Sequence, residues 1–351
     1  MFFKKKDIKN NTDFPSELRM DVVNSDWVVI AKGRAKKPGD FKKEKKIRWQ
    51  VLEKDCPFCD IKTQNPPVLI MAHGKEQELS KKIQENWTTV VFPNKYPAFI
   101  KSDTLNDKFV GPLYKVMNAV GFHEVVATKE HKKQIADFSV ERVKELFDVY
   151  QKRYLFMAEQ RFVNYVSIFH NFGAGAGASI EHTHSQIITT PLIDSDLRSA
   201  LSTAENYFNT NKKCIYCALN EWEIASKERI IYENKEFLAV CPFASKSAFE
   251  VIVSPKKHLP YFEKITEQEK WELADAFLAA IRKIYKGLGD PDYNFYLHTA
   301  PCDSEKHDYY HWHWTIIPKT STWAGFEIGT RMEISTIEPE KAAEFLKNVK
   351  V

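Results

Sequence analysis

The chain has no apolar run close to the roughly 20 residues needed to cross a bilayer. Its first ten residues, MFFKKKDIKN, hold no apolar core with a small-residue cleavage site. Neither a membrane span nor a secretory leader is expected, and the protein is placed in the cytoplasm. Net charge is also small, 51 Lys+Arg against 47 Asp+Glu giving +4. A nucleic-acid binder spreads basic residues over one face with aromatics between them. Here they gather in Lys4, Lys5 and Lys6 and in the run from Arg34 to Arg48, a pattern suited to phosphate or to plain solvation, and no nucleic-acid partner is expected. Cysteine is scarce, 6 in 351 residues, and a reducing compartment argues against structural disulfides. Glycine is scarce too, 12 in all, yet Gly173, Gly175 and Gly177 fall within five positions of each other.

What is present is ordinary for a globular protein: 43% hydrophobic and 28% charged residues, in a length that holds two average domains or one large one. The glycines open the segment NFGAGAGASIEHTHSQIITTP, residues 171–191. In an extended strand, side chains two apart share a face, so His182, His184 and Gln186 line up together. The small-residue loop before them lets main-chain N–H groups approach a ligand, and phosphate is the usual guest. The pair of features reads as a phosphate held beside an imidazole.

Sliding the chain along itself exposes a repeat. FHEVVATKEH (122–131) and FEVIVSPKKH (249–258) are strand-like runs ending in histidine. An amphipathic helix follows each. The first carries Val140, Val143, Phe147 and Tyr150 at helical spacing; the second opens with the capping pair Thr266 and Glu269 and ends near Gly287. Short strand-like runs come next (164–171 and 294–301), then His-x-His at His182/His184 and at His311/His313. The offset is 127 residues at the first histidine (131 to 258) and 129 at the second (182 to 311). The reading is two copies of one α+β unit: a first half over 1–191, a polar connector over 192–213 and a second half over 214–351. Insertions lengthen the first copy, within 60–85 and 101–118. The copies differ beside the second histidine, where Thr315 stands in the place of Gln186 and no glycine loop precedes.

A Cys-x-x-Cys precedes each set. A redox pair has no reason to recur with two histidines downstream, and a four-cysteine ribbon needs a far shorter separation than that from Cys59 to Cys214. The spacing predicts two closed Cys₂His₂ zinc sites, Cys56, Cys59, His131 and His182 in one and Cys214, Cys217, His258 and His311 in the other. Cys241 and Cys302 are read as buried free thiols, and His73, His123, His170 and His307 as ordinary histidines without a partner pattern. His298 and His313 are open between satisfied core histidines and ligands of a differently built second site.

At NFGAGAGASIEHTHSQ the chain resembles the galactose-1-phosphate uridylyltransferase family of the histidine-triad superfamily, whose pattern Asn-x-Gly-x₃-Gly-x₄-His-x-His-x-Gln is met at Asn171, Gly173, Gly177, His182, His184 and Gln186. The resemblance extends to 17–41, to PNKYPAF (93–99) and to GFEIGT (325–330), nearly the whole chain. The paired cysteines, the Arg-Ala-Lys segment and the GFEIGT run are closest to the ADP-glucose phosphorylase branch. Thr183 departs from the proline most uridylyltransferases carry there, and Gly329-Thr330-Arg331 departs from their Gly-Tyr-Glu.

The resemblance implies an α+β fold of two histidine-triad-like repeats, each an antiparallel sheet with a long helix. It implies a nucleotidyltransferase of the UDP-glucose–hexose-1-phosphate uridylyltransferase type, in galactose and carbohydrate metabolism. The alternative is an ADP-sugar phosphorylase that uses phosphate as acceptor, and a more distant one is a non-catalytic, zinc-stabilised nucleotide-binding protein. By resemblance His184 is the nucleophile, with Gln186 and Ser179 on the phosphate oxygens. Arg34, Asn94, Asn171, Gly173 and Gly177, with Phe326, Glu327 and Gly329 of the sugar-holding segment, contact the substrate. A histidine-triad hydrolase usually has a third histidine where Gln186 stands, which ranks transfer above hydrolysis. The expected partners are a nucleotide sugar and a sugar 1-phosphate or phosphate; no membrane is expected, and a homodimer is open.

Overall fold

The computed structural model describes residues 16–34, 36–41, 48–79 and 85–351. Lys4, Lys5 and Lys6 and positions 42–47 of the basic run lie outside the described residues.

Eleven strands pair edge to edge into a single sheet, antiparallel throughout. The first half contributes Lys75–Glu76, Leu69–Ala72, Thr89–Pro93, His123–Thr128, His184–Thr190 and Tyr165–Phe172, in that spatial order. The second continues with Tyr293–His298, His313–Pro318, Val251–Pro255, Phe237–Val240 and Ile230–Glu233. Read outward from the middle, both halves run through the same order over five strands, the first half adding Lys75–Glu76 at its edge, so the repeat in sequence is a repeat in topology. The two sheets are fused: Tyr165–Phe172 pairs with Tyr293–His298, with Tyr293 opposite Phe172 and Tyr296 opposite Phe169.

Each half places its long helix on the same face of the sheet. Val140–Ala158 starts at Ser139, whose side chain accepts from the Arg142 N–H, and buries Val143, Phe147, Tyr150, Tyr154 and Met157 at helical spacing. Glu267–Leu288 begins with the Thr266–Glu269 capping box and stops at Gly289, which takes the left-handed conformation at φ 70°. Between helices and sheet the core is aromatic: Phe147 and Phe277 meet edge to face at 5.4 Å, and both lie within 5.8 Å of the fully buried Trp314. One charge pair ties helix to sheet, Arg153 to Glu124 at 2.8 and 2.7 Å, and another ties the two helices to each other, Lys270 to Asp148 at 2.6 Å.

Strand alternation then decides which side chains face away from the helices. On Tyr165–Phe172, the buried Val166, Ile168, His170 and Phe172 point to one side, and Ser167, Phe169 and Asn171 to the other. On His184–Thr190 the residues Ser185, Ile187 and Thr189 point inward, so His184, Gln186 and Ile188 take the outer face. In the first half that face is covered by the Cys56–Cys59 segment, whose Cys56 and Phe58 cluster with Val90, Phe92, Val125 and Ala127.

A small sheet of Glu17–Met20, Trp27–Ile30 and Ile334–Ser335 stands apart from the large one, and 108–116 within the expected insertion forms an exposed hairpin. The segment 192–213 is mostly a helix, Ser195–Asn211, that buries Leu197, Ala200, Leu201 and Ala204. Among the described residues no helix is long and apolar enough to cross a membrane.

Candidate active site and metal centres

Both cysteine–histidine sets assemble. In each, one potential donor atom from every residue lies within 4.8 Å of the other three. In the first, Cys59 Sγ is 3.2 Å from His131 Nδ1 and 3.4 Å from His182 Nδ1, and Cys56 Sγ is 3.4 Å from His182 Nδ1. In the second, Cys217 Sγ is 3.4 Å from His258 Nδ1 and 3.5 Å from His311 Nδ1. All four rings direct Nε2 to a backbone carbonyl: His131 to Val51, His182 to Thr128, His258 to Asp308 and His311 to Pro255. A carbonyl accepts only, so Nε2 carries the proton and Nδ1 offers its lone pair inward. Burial pushes the Cys59 thiol up to about 12. Its partner Cys214, then burial, push Cys217 up as well. Two sulfurs so close ionise together only around a cation, and the eight residues fit a metal in both places.

His182 lies in the bend just before the strand His184–Thr190 rather than on it as its spacing suggested, and His184, the first residue of that strand, is 7% exposed. Its Nδ1 lies 2.8 Å from the His182 carbonyl oxygen, which fixes the proton on Nδ1 and leaves Nε2 as the lone-pair nitrogen. Burial holds the ring below the ordinary histidine range. The Phe58 ring packs against it at a steep angle, centroids 4.9 Å apart, and contributes to that burial. The group is therefore a neutral, oriented imidazole on the outer face.

Gln186, one strand pleat along, directs Oε1 to His123 Nε2 at 2.8 Å, and Asn94 Nδ2 lies 3.0 Å from that same nitrogen. Gln186 and Asn94, two expected positions from separate parts of the chain, thus meet at the His123 ring. His123 escaped the reading of the sequence because a lone histidine at a strand start has no spacing pattern; its partners arise from register across the sheet, Ile188 standing opposite it and Asn94 following the strand beyond.

The glycine loop has a different economy from the one its composition suggests. The Gly175 N–H donates to Asp292 Oδ2 at 2.9 Å, and those of Ala176, Gly177 and Ala178 donate to Gly173, Ala174 and Gly173 carbonyls. Asp292 is also held by Arg48, which pairs with Asp290 at 2.7 Å and with Asp292 at 2.9 Å. Arg48, at the end of the basic run, is thus neither solvated nor facing phosphate but a clasp between the halves. A Cβ on Gly173 would stand 1.9 Å from Asp292 Oδ1, so the loop needs glycine for close approach to protein.

Asn171 accepts from Asn294 Nδ2 at 2.7 Å across the seam. Ser179 is exposed on the loop. Arg34, and Phe326, Glu327 and Gly329 on the helix Gly325–Thr330, share no hydrogen bond or ion pair with His184 or Gln186 among the described residues. A cavity of about 1300 Å³ lies over the second half, reaching from Asn171 and Gly175 to His298, His313 and Trp323. His298 and His313 stack at 4.7 Å and are not part of either donor cluster; burial pushes His298 down to about 4 and His313 in the same direction.

Known proteins resemble the chain over nearly its whole length. A family model described as the galactose-1-phosphate uridyl transferase N-terminal domain matches residues 6–193, and one for a domain of unknown function matches 121–349. The ADP-glucose phosphorylase of Arabidopsis thaliana is 32% identical over 343 residues, 95% of this chain and 93% of that one. The galactose-1-phosphate uridylyltransferase of Thermotoga maritima is 26% identical over 345 residues, 95% and 99% of the two chains. A crystal structure of an Arabidopsis thaliana ADP-glucose phosphorylase with bound ADP-glucose superposes with a TM-score of 0.79 at 29% identity, covering 96% of this chain and all of that one.

Proposed function

The chain belongs to the galactose-1-phosphate uridylyltransferase family and is a nucleotidyltransferase, and we propose that it moves a nucleotidyl group from a nucleotide sugar to a phosphate acceptor by way of a covalent bond to His184. The observation that carries this is the Nδ1–H···O=C contact at 2.8 Å to His182, which leaves Nε2 free to attack. In the first half-reaction the Nε2 lone pair forms a bond to the α-phosphorus while the P–O bond to the sugar phosphate breaks, and its electron pair leaves with that group. Positive charge then develops on the ring and is stabilised by the His182 carbonyl. In the second, an acceptor oxygen attacks the same phosphorus, the N–P bond breaks and its electrons return to Nε2. Splitting one displacement into two is the advantage of a covalent step. Gln186 and Ser179 would bind the phosphate oxygens as charge builds, and Asn94, Asn171, Arg34 and the GFEIGT run would hold the substrate's remaining parts.

Two zinc ions suit the two closed Cys₂His₂ sets. Cys56, Cys59, His131 and His182 would hold one ion and Cys214, Cys217, His258 and His311 the other; each would neutralise its sulfurs and fix its histidines, and His182, so fixed, would present the carbonyl that orients His184. The half 1–191 carries the reacting groups, 192–213 joins it to 214–351, and the second half supports the first from the cytoplasmic enzyme's other side of the seam.

The adenylyl reading, ADP-sugar in and phosphate as acceptor, is favoured over the uridylyl one by the higher identity to the ADP-glucose phosphorylase. Incubation with ADP-glucose and separately with UDP-glucose, followed by intact mass measurement, tests both levels. An adenylyl adduct lost in His184→Ala is expected. A uridylyl adduct alone would reverse the choice of base, and no adduct from either would remove the covalent mechanism.

A further inference from the structure

We infer that His123 is a positioning residue for nucleotidyl transfer: it fixes which way the Gln186 carboxamide faces, and so presents the Gln186 NH₂ to the substrate's phosphate. The inference rests on the proposed role of Gln186.

The tautomer follows from the contacts. The Ala98 backbone N–H points at His123 Nδ1 at 3.1 Å. A backbone N–H can only donate, so Nδ1 must hold a lone pair and, in the neutral ring, Nε2 carries the proton. That proton faces Gln186 Oε1 at 2.8 Å. An amide whose oxygen is held by a donor has its nitrogen turned the other way, with two N–H groups to offer. Gln186 shares the outer face with His184, two residues away on the same strand. Without the ring the amide could rotate, and half of its orientations would set an oxygen lone pair against an anionic phosphate. A single preorganised donor of this type is typically worth about 10²–10³ in rate.

The ring is itself held in place. Asn94 is anchored by the Tyr96 N–H, which donates to Oδ1 at 2.8 Å, so Asn94 cannot turn to accept. Its Nδ2 stands 3.0 Å from His123 Nε2, donor against donor, so no hydrogen bond joins the two and the Nε2 proton has the Gln186 oxygen as its acceptor. The Asn94 N–H donates to the His123 carbonyl at 2.8 Å, so the two backbones are fixed together. A histidine that merely filled space would need neither the directed Nδ1 contact nor the matching acceptor at Nε2.

The test measures single-turnover labelling of the full-length protein by the nucleotide sugar that labels wild type. His123→Phe, Gln186→Ala and the double variant are compared, with metal content and melting midpoint as controls of folding. His123→Phe should slow labelling about 100-fold with KM little changed, and the double variant should be within about threefold of Gln186→Ala, since residues that act as one unit do not add. His123→Gln, long enough to donate to Gln186, should recover most of the rate, and His123→Asn, which can accept from Ala98 but falls short of Gln186, should not. That last pair decides the matter should His123→Phe fail to fold. Labelling of His123→Phe at the wild-type rate, losses that multiply in the double variant, or equal rates in the Gln and Asn variants would overturn the inference while leaving the covalent mechanism intact. A wild type that neither nucleotide sugar labels overturns the mechanism itself, and this inference with it.

Discussion

The two halves of the sheet hold their cysteines and histidines in one geometry, down to the carbonyl that receives each Nε2–H, yet the residue two places beyond the second ligand is treated differently. In the first half His184 meets the His182 carbonyl at 2.8 Å, lies against Phe58 and is followed on its face by Gln186. In the second, His313 is 3.4 Å from the His311 carbonyl, stacks on His298 and is followed by Thr315. On the proposed mechanism, a cysteine–histidine set is not by itself enough to give a reactive histidine beside it. Tight fixation of one tautomer and an amide on the same face distinguish the half expected to react.

The largest effect that can break this comparison comes from removing each histidine. His184→Ala should abolish nucleotidyl labelling and turnover, whereas His313→Ala should keep both within a few-fold of wild type, as read by intact mass and by product release. Equal losses would mean that the second half takes part in the chemistry. Next come the metal sets. Elemental analysis should find two zinc ions per chain, and Cys56→Ser and Cys214→Ser should each lower the count by one. Cys56→Ser should also depress labelling, because His182 bears the carbonyl that orients His184; Cys214→Ser should act mainly on the melting midpoint. Removing a buried ligand leaves its partners uncompensated, and several kcal/mol is the usual scale.

Much of this was legible in the chain. Alternation placed His184 and Gln186 on one face of a strand, with His182 falling in the bend just before it, and near-constant offsets grouped the eight cysteines and histidines into the two sets the structure assembles. Helix capping at Thr266 was visible because it is local. What was illegible depends on strand neighbours far apart in sequence. The seam between Tyr165–Phe172 and Tyr293–His298 fuses two expected sheets into one, and nothing in either strand names the other. His123 gains its meaning from Gln186, 63 residues on. Arg48 looked like solvated or phosphate-facing charge because its carboxylate partners lie 242 and 244 residues away.

The glycine loop sharpens the same point at a smaller scale. Gly173 and Gly177 both sit at φ 82°, where a side chain costs about 1–2 kcal/mol. A Cβ at Gly177 would meet nothing within 4 Å, whereas at Gly173 it would collide with Asp292 and with the Arg48 guanidinium at 2.8 Å. Gly177→Ala should therefore cost little beyond the backbone strain. Gly173→Ala should cost distinctly more, measured by denaturant unfolding, because it also breaks the clasp between the halves. Equal costs would show that the clasp contributes little.

The smallest effect separates two buried carboxylates, one in each half. Glu145 in the first is met by Arg142 at 2.8 Å and by the hydroxyls of Thr88 and Thr89 at 2.7 and 2.6 Å. Glu250 in the second accepts from the backbone N–H groups of Lys246 and Ser247 at 2.6 and 3.3 Å, while the Lys246 ammonium pairs with Asp26 instead. Burial therefore dominates at Glu250 and pushes its carboxyl up to about 7. The folded state then binds a proton that the unfolded chain releases near the ordinary carboxylate range. Stability from this group is full below that range, declines as pH rises toward 7, and is level above it. Each unit of displacement is worth about 1.4 kcal/mol. Glu250→Gln keeps an acceptor for one N–H and removes the ionisation, so it should flatten this part of the stability profile and stabilise the protein at pH 8 relative to pH 5. An unchanged slope between pH 5 and 7 in urea unfolding would mean that the carboxylate of Glu250 is as well compensated as that of Glu145.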